Sequence, residues 1–485
     1  MSDADLKDHP PAEEADAALA GARPDVGIAD EQDTHDEDNR LKSDFVRSVK
    51  DALREEDFER VYNLVERLHP ADIADLFELV DEDERMPLAR SINDLMGVEV
   101  IAELNDWVRE LLVEALPAGV VADIAEQLDT DDAVAMLEDL DEEDQQAVLA
   151  EMEPEDRAAI ESALSYPEES AGRMMSRDYV AVPDTMTVGD LIDYLREHRE
   201  LPTEFWEVFC VDPLHHPVGT CALSWILRCP RNIPLYDVMK REQTLIPADM
   251  DQEEVALRFQ KYALISAAVV DDSGRLIGQI TVDDIVHIIQ EEAGEDALLL
   301  SGAGVGDINE PILLTVRARL TWLVVNLGTA IIASSVVGLF QGAISRFALL
   351  AVLMPIVSGM GGNAGTQTLA VVVRALATNQ LTSSNTRRMI FREFRIAAAN
   401  GITLGLLIGI GVTLIFGRLD LGTVIALAML INNLIAGLSG ILIPVTLDKL
   451  DIDPAVSSAV FVTMMTDVMG FFSFLGLATL WGLHG

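Results

Sequence analysis

From Leu41 to about Leu164 apolar residues recur every three or four positions, and the Asp/Glu-rich breaks between them double as helix N-caps. The stretches LHPADIADLFELVDEDERMPLARSI, LPAGVVADIAEQLDTDDAVAMLEDL and LDEEDQQAVLAEMEPEDRAAIESAL each predict an amphipathic helix, an acidic turn and a second helix. Residues 41–173 are therefore expected to form a helical, repeat-like N domain. Near Ser176 the period changes and β-branched runs appear between helices. YVAVPDTMTVGDLIDYLREH with EVFCVDPLHHPVGTCALSWIL predicts strand, helix, strand, turn, strand and helix, and residues 244–290 repeat that order through a DDSGRL hairpin turn. From Ala318 onwards five apolar segments approach the ~20 residues needed to cross a bilayer. They lie at roughly 320–340, 347–373, 396–416, 421–447 and 455–481. The expected fold class is multidomain: an α-helical repeat-like N domain, an α/β paired domain over 174–293 (halves of about 174–238 and 239–293), and an all-α polytopic membrane domain over 318–485 with five transmembrane helices. Residues 1–40 read as a disordered acidic tail without a cleavable leader.

Charge divides the chain at the same place. The net charge is −48, yet residues 311–485 hold 10 bases against 6 acids, leaving −52 on residues 1–310. Such a surface repels phosphates, so nucleic acid is not an expected partner, and cations are the natural ligands. The bases are 28 Arg and 6 Lys. Acid excess with scarce lysine is also what a solvated surface needs in concentrated salt, so the total charge does not by itself specify cation binding. Cys210, Cys221 and Cys229 make no disulfide framework and fit a reducing compartment. Arg317 and Arg319 precede the first span, and Arg374, Arg387, Arg388, Arg392 and Arg395 crowd the second connection, whereas the first and third carry only Arg346 and Arg418. The positive-inside bias then makes the protein a multi-pass inner or plasma membrane protein with cytoplasmic N-terminal domains and an outside C-terminus. Trp322 and Trp481 stand where interfacial aromatics belong.

Within the apolar region, Asp467 is read as the only carboxyl group deep inside a span, with no intramembrane Lys or Arg near it in sequence. An ionised carboxylate in hydrocarbon faces a water pathway or a partner, and a cation is the counter-charge to hand. PIVSGMGGNAGTQT interrupts the second span with glycines around Asn363 and Gln367, whose carboxamides offer oxygens to an ion or its waters. Asn432 and Asn433 add a polar step in the fourth span. Asn363, Gln367 and Asn432 are the candidate pore-lining residues. No nucleophile–base pair, P-loop or HExxH motif is present, so no enzymatic activity is expected, and His215 and His216 fall in a turn.

The repeated unit, Met174 to Gln290, resembles a pair of CBS domains. The G-x-x-T/S-x-x-D turn of that family stands here as Gly278, Thr281 and Asp284, and the first copy, GTCALSWIL, lacks the Asp. The resemblance implies that Thr281 and Asp284 hold the phosphate and ribose of ATP or AMP; a helix N-cap explains the same residues.

PIVSGMGGNAGTQTLAVVVRALA followed by DPAVSSAVFVTMMTDVMG is similar to the membrane domain of MgtE-type magnesium transporters, and with the other domains in order the similarity covers about residues 45–482. It implies a homodimeric, Mg²⁺-selective channel with its pore on the two-fold axis, Asp467 binding the ion, and closure by internal Mg²⁺. Mg²⁺ is at once substrate and regulatory ligand in that reading. Sensor acids carried over by the resemblance are Glu99 and Asp131 in the helical domain, Glu253 and Asp284 in the second CBS copy, and Glu292, Glu295 and Asp296 on a connecting (plug) helix over 294–317. Ala135, Ala263 and His287 stand where further acids are expected. Alternatives are a nucleotide-sensing CBS membrane protein and a coupled divalent-cation transporter, and carboxylates with water also suit Co²⁺, Ni²⁺ or Mn²⁺.

Overall fold

A computed structural model describes residues 34–138, 140–198, 201–202, 205–301, 309–450, 452–456 and 458–482. The expected tail over 1–40 falls outside the described residues except for its last seven, and so does the part of the connector at 302–308. The chain separates into two compact units, Met1–Asp284 and Ile285–Gly485.

Among the described residues the first unit opens on ten short α-helices: α1 (Ser43–Arg54), α2 (Phe58–Val65), α3 (Pro70–Leu79), α4 (Glu82–Ser91), α5 (Val98–Ala102), α6 (Asp106–Glu114), α7 (Ala118–Ala125), α8 (Thr130–Glu138), α9 (Glu142–Glu151) and α10 (Pro154–Leu164). The three acid-punctuated stretches become the pairs α3/α4, α7/α8 and α9/α10. Their acidic breaks act as caps: Asp57 accepts from the Arg60 N–H at 3.1 Å, and Asp141 accepts from Glu143 and Asp144 N–H at 3.1 and 3.0 Å. Asp81 and Glu84 form a capping box ahead of α4. The amphipathic faces close over two cores, one around Leu76, Phe77 and Leu88 and the other around Val121, Met136 and Leu137.

The paired module follows, built twice to one plan. β1 (Ala181–Pro183), α11 (Val188–Glu197), β2 (Glu207–Val211), β3 (Pro217–Ala222), α12 (Leu223–Ile226) and α13 (Leu235–Val238) precede β4 (Leu245–Pro247), α14 (Gln252–Tyr262), β5 (Ser266–Val270) and β6 (Leu276–Thr281). In each half the first strand pairs parallel to the second and the second antiparallel to the third, with an irregularity at Cys210/Val211 and again at Val269/Val270. The hairpin turns match too. Asp271 accepts from the Ser273 and Arg275 N–H at 2.8 and 2.9 Å, and Asp212 from Leu214 and His216 at 2.8 and 2.9 Å. The left-handed position is Gly274 in one copy and His215 in the other.

Gly219 and Gly278 answer to this duplication. The backbone leading into one half crosses the last strand of the other, through the bridges Thr220↔Lys240 and Ser176↔Gln279. A Cβ at Gly278 would sit 2.9 Å from the Ser176 carbonyl oxygen, and one at Gly219 2.9 Å from that of Lys240. The glycine of the G-x-x-T-x-x-D turn is thus required by packing alone. All three cysteines are free.

α15 (Val282–Ser301) runs unbroken through the expected 293/294 boundary. The second unit then contains five helices long and apolar enough to cross a membrane: α16 (Ile312–Leu339), α18 (Leu349–Ala377), α19 (Thr386–Phe416), α20 (Leu419–Asp448) and α21 (Ser458–Leu480), with a short α17 (Gln341–Arg346) between the first two. α20 is the centre, with Leu421, Val424, Ile425, Ala428 and Met429 buried against α18 and α21. Glycines at 401, 405 and 409 let α19 lie on it. A Cβ at Gly405 would come 2.7 Å from the Ala426 carbonyl oxygen, and one at Gly409 2.7 Å from that of Gly422. Two expectations change here. α18 is continuous through PIVSGMGGNAGTQT, because its glycines serve helix contact instead of opening the backbone. α19 begins ten residues before the apolar segment that announced it, which brings Glu393 inside the helix and buries it at 5% exposure. Asp467 therefore shares with Glu393 the role of carboxyl group within a span.

Candidate cation sites

Two regions gather polar groups. In the membrane unit, α18, α20 and α21 meet around Asp467, which is partly buried on α21. The hydroxyl of Ser358, 9% exposed on α18, donates to the Asp467 carboxylate. Among the described residues no other hydrogen bond and no ion pair reaches it. Its charge therefore remains open to a cation, while the hydroxyl fixes its direction.

Beside it, Asn432 is wholly buried, and its Nδ2 donates to the Val357 carbonyl at 2.7 Å. Its Oδ1 has no partner. Gly361 and Gly470 make room for this amide: a Cβ at Gly361 would collide with it, and one at Gly470 would come 2.9 Å from Nδ2. Asn432 thus wedges three helices together and does not reach a surface of the subunit. Asn363 and Gln367, by contrast, are exposed one turn apart on α18. No spacing rule in the sequence separates the buried amide from the two exposed ones.

In the first unit, a cavity of about 640 Å³ is lined by Glu99, Asp131 and Asp284 together with Glu103, Asp129, Asp132, Asp178 and Asp283. None of its described lining residues is basic. Glu99, Asp131 and Asp284 each stand in the first turn of a helix, where the helix N-terminus tolerates negative charge. That help is partial. Burial pushes the Asp131 carboxyl well above the usual carboxylate range, and the neighbouring Asp284, Asp132 and Asp129 push it further. Its Oδ1 is buried with no hydrogen-bond partner. Burial, then Asp129 and Asp284, raise Asp132 to about 6 against a small opposing effect of Arg109.

Asp284 has a second engagement. Its Oδ2 accepts from the Thr281 hydroxyl at 2.6 Å and the Thr281 N–H at 3.2 Å, the capping arrangement at the start of α15. Glu253, on the first turn of α14, is not among the cavity's lining residues. Asp132, Glu103 and Asp129 are cavity residues that the sequence reading missed; the acid run DTDD at the start of α8 marks the two aspartates, and nothing local marks Glu103.

Glu292, Glu295 and Asp296 belong to the second unit. Burial raises the Asp296 carboxyl, and Asp453 in the connection between α20 and α21 raises it further. Ala263 caps α14 in the left-handed conformation, φ 50°. Among the described residues no three His, Cys, Asp or Glu side chains converge as a preformed metal cage. These carboxylates instead suit an ion that keeps much of its water, as Mg²⁺ does.

Comparison with known proteins gives these sites a context. Residues 354–477 match the family model of MgtE, a divalent cation transporter; residues 68–169 match the MgtE intracellular N domain and residues 235–291 a CBS domain. The magnesium transporter MgtE of Bacillus subtilis is 32% identical over 446 residues, 91% of this chain and 98% of that protein. The magnesium transporter MgtE of Enterococcus faecalis is 32% identical over 429 residues, 88% of this chain and 89% of its own. That of Thermus thermophilus is 29% identical over 440 residues, 89% of this chain and 97% of its own. Among solved structures, the cytosolic domain of the Mg²⁺ channel MgtE in complex with ATP aligns at a TM-score of 0.46 and 27% identity, over 50% of this chain and 99% of that one.

Proposed function

The chain belongs to the MgtE family of magnesium transporters, with Mg²⁺ as the transported substrate, and from that premise we propose that it is a channel whose ion passes Asp467 and whose acidic cavity senses internal Mg²⁺. The observation that carries the pore assignment is the state of Asp467: a carboxylate within a span, oriented by Ser358 and left without a basic partner among the described residues. One such group attracts a cation without stripping it. Two subunits related by a two-fold axis would bring two Asp467 side chains to one hydrated ion, so the working unit is a homodimer. Asn363 and Gln367, exposed on α18, supply neutral oxygens along the same path.

The gate rests on the cavity lined by Glu99, Asp131 and Asp284. Without a cation its carboxylates repel, which adds to the burial that chiefly raises Asp131 and Asp132. Mg²⁺ at high internal concentration neutralises them and holds the helical domain (41–173) against the CBS pair (174–293). The connector over 294–317, with Glu292 just before it and Glu295 and Asp296 within it, passes this state to the membrane domain at 318–485. Glu253 lies outside the cavity and takes the weakest part. The N-terminal domains face the cytoplasm, where that concentration is set, and the C-terminus faces outside, as the arginine distribution requires.

ATP at Thr281 and Asp284 is a second reading. The Asp284 carboxylate already accepts twice from Thr281, so a ribose must share or displace those bonds. Mg²⁺ flux into liposomes reconstituted with the full chain tests the main reading. Flux that falls as Mg²⁺ rises on the cytoplasmic face supports it; flux indifferent to that Mg²⁺ sinks the sensor and leaves the pore standing.

A further inference from the structure

The membrane unit buries a second carboxylate away from Asp467. Glu393, two turns into α19, is 5% exposed, and among the described residues its side chain has neither a hydrogen bond nor an ion pair. Removing an ionised carboxylate from water without compensation is unfavourable enough that such groups take a counter-charge. The adjacent Arg392 borders the same cavity as Glu393, but among the described residues no ion pair joins the two. Residues one apart on a helix point in different directions, and its exposed guanidinium lies against the Met389 sulfur at 3.7 Å.

Glu393 lines a cavity of about 210 Å³ bounded by α18, α19 and α20. Asn433 of α20 lines it too and is 1% exposed. Its Nδ2 donates to the Met429 carbonyl at 2.9 Å, which fixes the amide, and its Oδ1 is left buried with no partner. Thr368 and Gln367 of α18 and Asn400 of α19 complete an oxygen-rich wall. The helices cannot close the space by approaching. A Cβ at Gly401 would lie 3.2 Å from the Asn433 Cβ, and one at Gly437 2.7 Å from the Ala397 Cβ, so α19 and α20 already touch on either side.

Asn432 and Asn433 thus work back to back. Asn432 points to the junction of α18 and α21 near Asp467, and its neighbour, a hundred degrees round the helix, points to Glu393. At about 30 Å³ per water the cavity has room for an ion with its inner hydration shell.

We propose that this cavity is a second divalent-cation site of the membrane unit, in which Glu393 supplies the charge and Asn433 Oδ1 a neutral oxygen to a Mg²⁺ ion that retains most of its water. One carboxylate with water suffices for Mg²⁺, so the lack of a three-acid cage among the described residues does not oppose it. The site does not use Asp467, whose hydrogen bond goes to Ser358, and it shares only Gln367 with the ion path proposed above.

Fe²⁺ tests it as a cleaving surrogate for Mg²⁺. The full chain in lipid nanodiscs is loaded with Fe²⁺, treated with ascorbate and peroxide, and its backbone cuts are mapped by mass spectrometry. Cuts are expected near residues 393 and 433, suppressed by excess Mg²⁺, reduced at least about tenfold in Glu393→Gln and retained in Asp467→Asn. Asn433→Ala, which leaves the carboxylate in place, is expected to reduce them to a lesser degree and serves if Glu393→Gln does not fold. No Mg²⁺-suppressible cutting at 393 and 433, or wild-type cutting in Glu393→Gln, overturns the site. Cuts near 393 without any near 467 would count against the pore reading while upholding this one.

Discussion

The two acidic regions handle negative charge in opposite ways. In the first unit, eight carboxylates crowd one cavity, and burial, then proximity, raises two of them. In the membrane unit, Asp467 and Glu393 stand apart, Asp467 held by a neutral hydroxyl and Glu393 in a cavity of amides and hydroxyls that Arg392 also borders. A crowd of acids responds to a cation collectively, because each one neutralised lowers the cost for the next, which suits a sensor. A lone carboxylate dressed with amides holds an ion loosely through its water, which suits passage. Neutralising one acid should therefore be fatal in the second setting and easing in the first.

The largest effect is expected at Asp467. Asp467→Asn keeps the Ser358 contact and removes the charge, and it should lower Mg²⁺ flux in reconstituted liposomes by roughly a hundredfold or more. Flux within a few-fold of wild type would erase the distinction between the two regions. In the cavity the sign reverses. Asp131→Asn relieves repulsion at a buried oxygen that has no partner, so the first unit should resist protease at Mg²⁺ concentrations about tenfold below those the wild type needs. A variant that needs more Mg²⁺ would mean that Asp131 acts as a ligand first and a repelling charge second.

A smaller effect follows from protons. Asp132 is raised from 3.8 to about 6, so the folded unit binds the proton more tightly than the unfolded chain. Its contribution favours the folded state at low pH and is lost as pH rises from about 4 through 6; Asp131, also raised, contributes with the same sign. In Mg²⁺-free buffer, thermal melting of the full chain should show the transition of the first unit falling across that window. Asp132→Asn should flatten the fall, and saturating Mg²⁺ should remove it. A transition that rises with pH would contradict the crowding.

How far the sequence carried differs between the two regions as well. Span positions were legible because a bilayer demands length and apolarity: all five helices end within about four residues of the apolar runs, and all but one begin within about eight. The exception is instructive. Thr386–Ile396 is rich in arginine, so hydropathy starts α19 too late and leaves Glu393 in a connection. The doubled strand–helix order was legible from period and turn chemistry, down to the paired Asp212 and Asp271 turns. The composition of the acid cavity was only partly so. Glu99, Asp131 and Asp284 come from three distant helix starts, and no local pattern tells these acids from the solvated ones around them. Asn363 and Asn432 look alike in sequence, yet one is exposed and the other wedged between glycines, a difference that arises only when helices pack.

That wedge provides the smallest and most local test of how the membrane unit holds its polar groups. Gly361 has the Asn432 amide where a Cβ would go, whereas Gly359, two residues away on the same helix, meets nothing within 4 Å. Gly361→Ala should push the amide off the Val357 carbonyl and lower unfolding stability by about 1–3 kcal/mol, the usual cost of overpacking. Gly359→Ala should leave stability unchanged or raise it slightly, since alanine is the better helix former. Melting of both variants in one detergent, compared with wild type, reads the difference. If the two substitutions cost the same, the glycines act through backbone flexibility. If only Gly361→Ala costs, and Mg²⁺ flux falls with it, the buried amide holds α18 and α21 at the spacing that keeps Ser358 on Asp467.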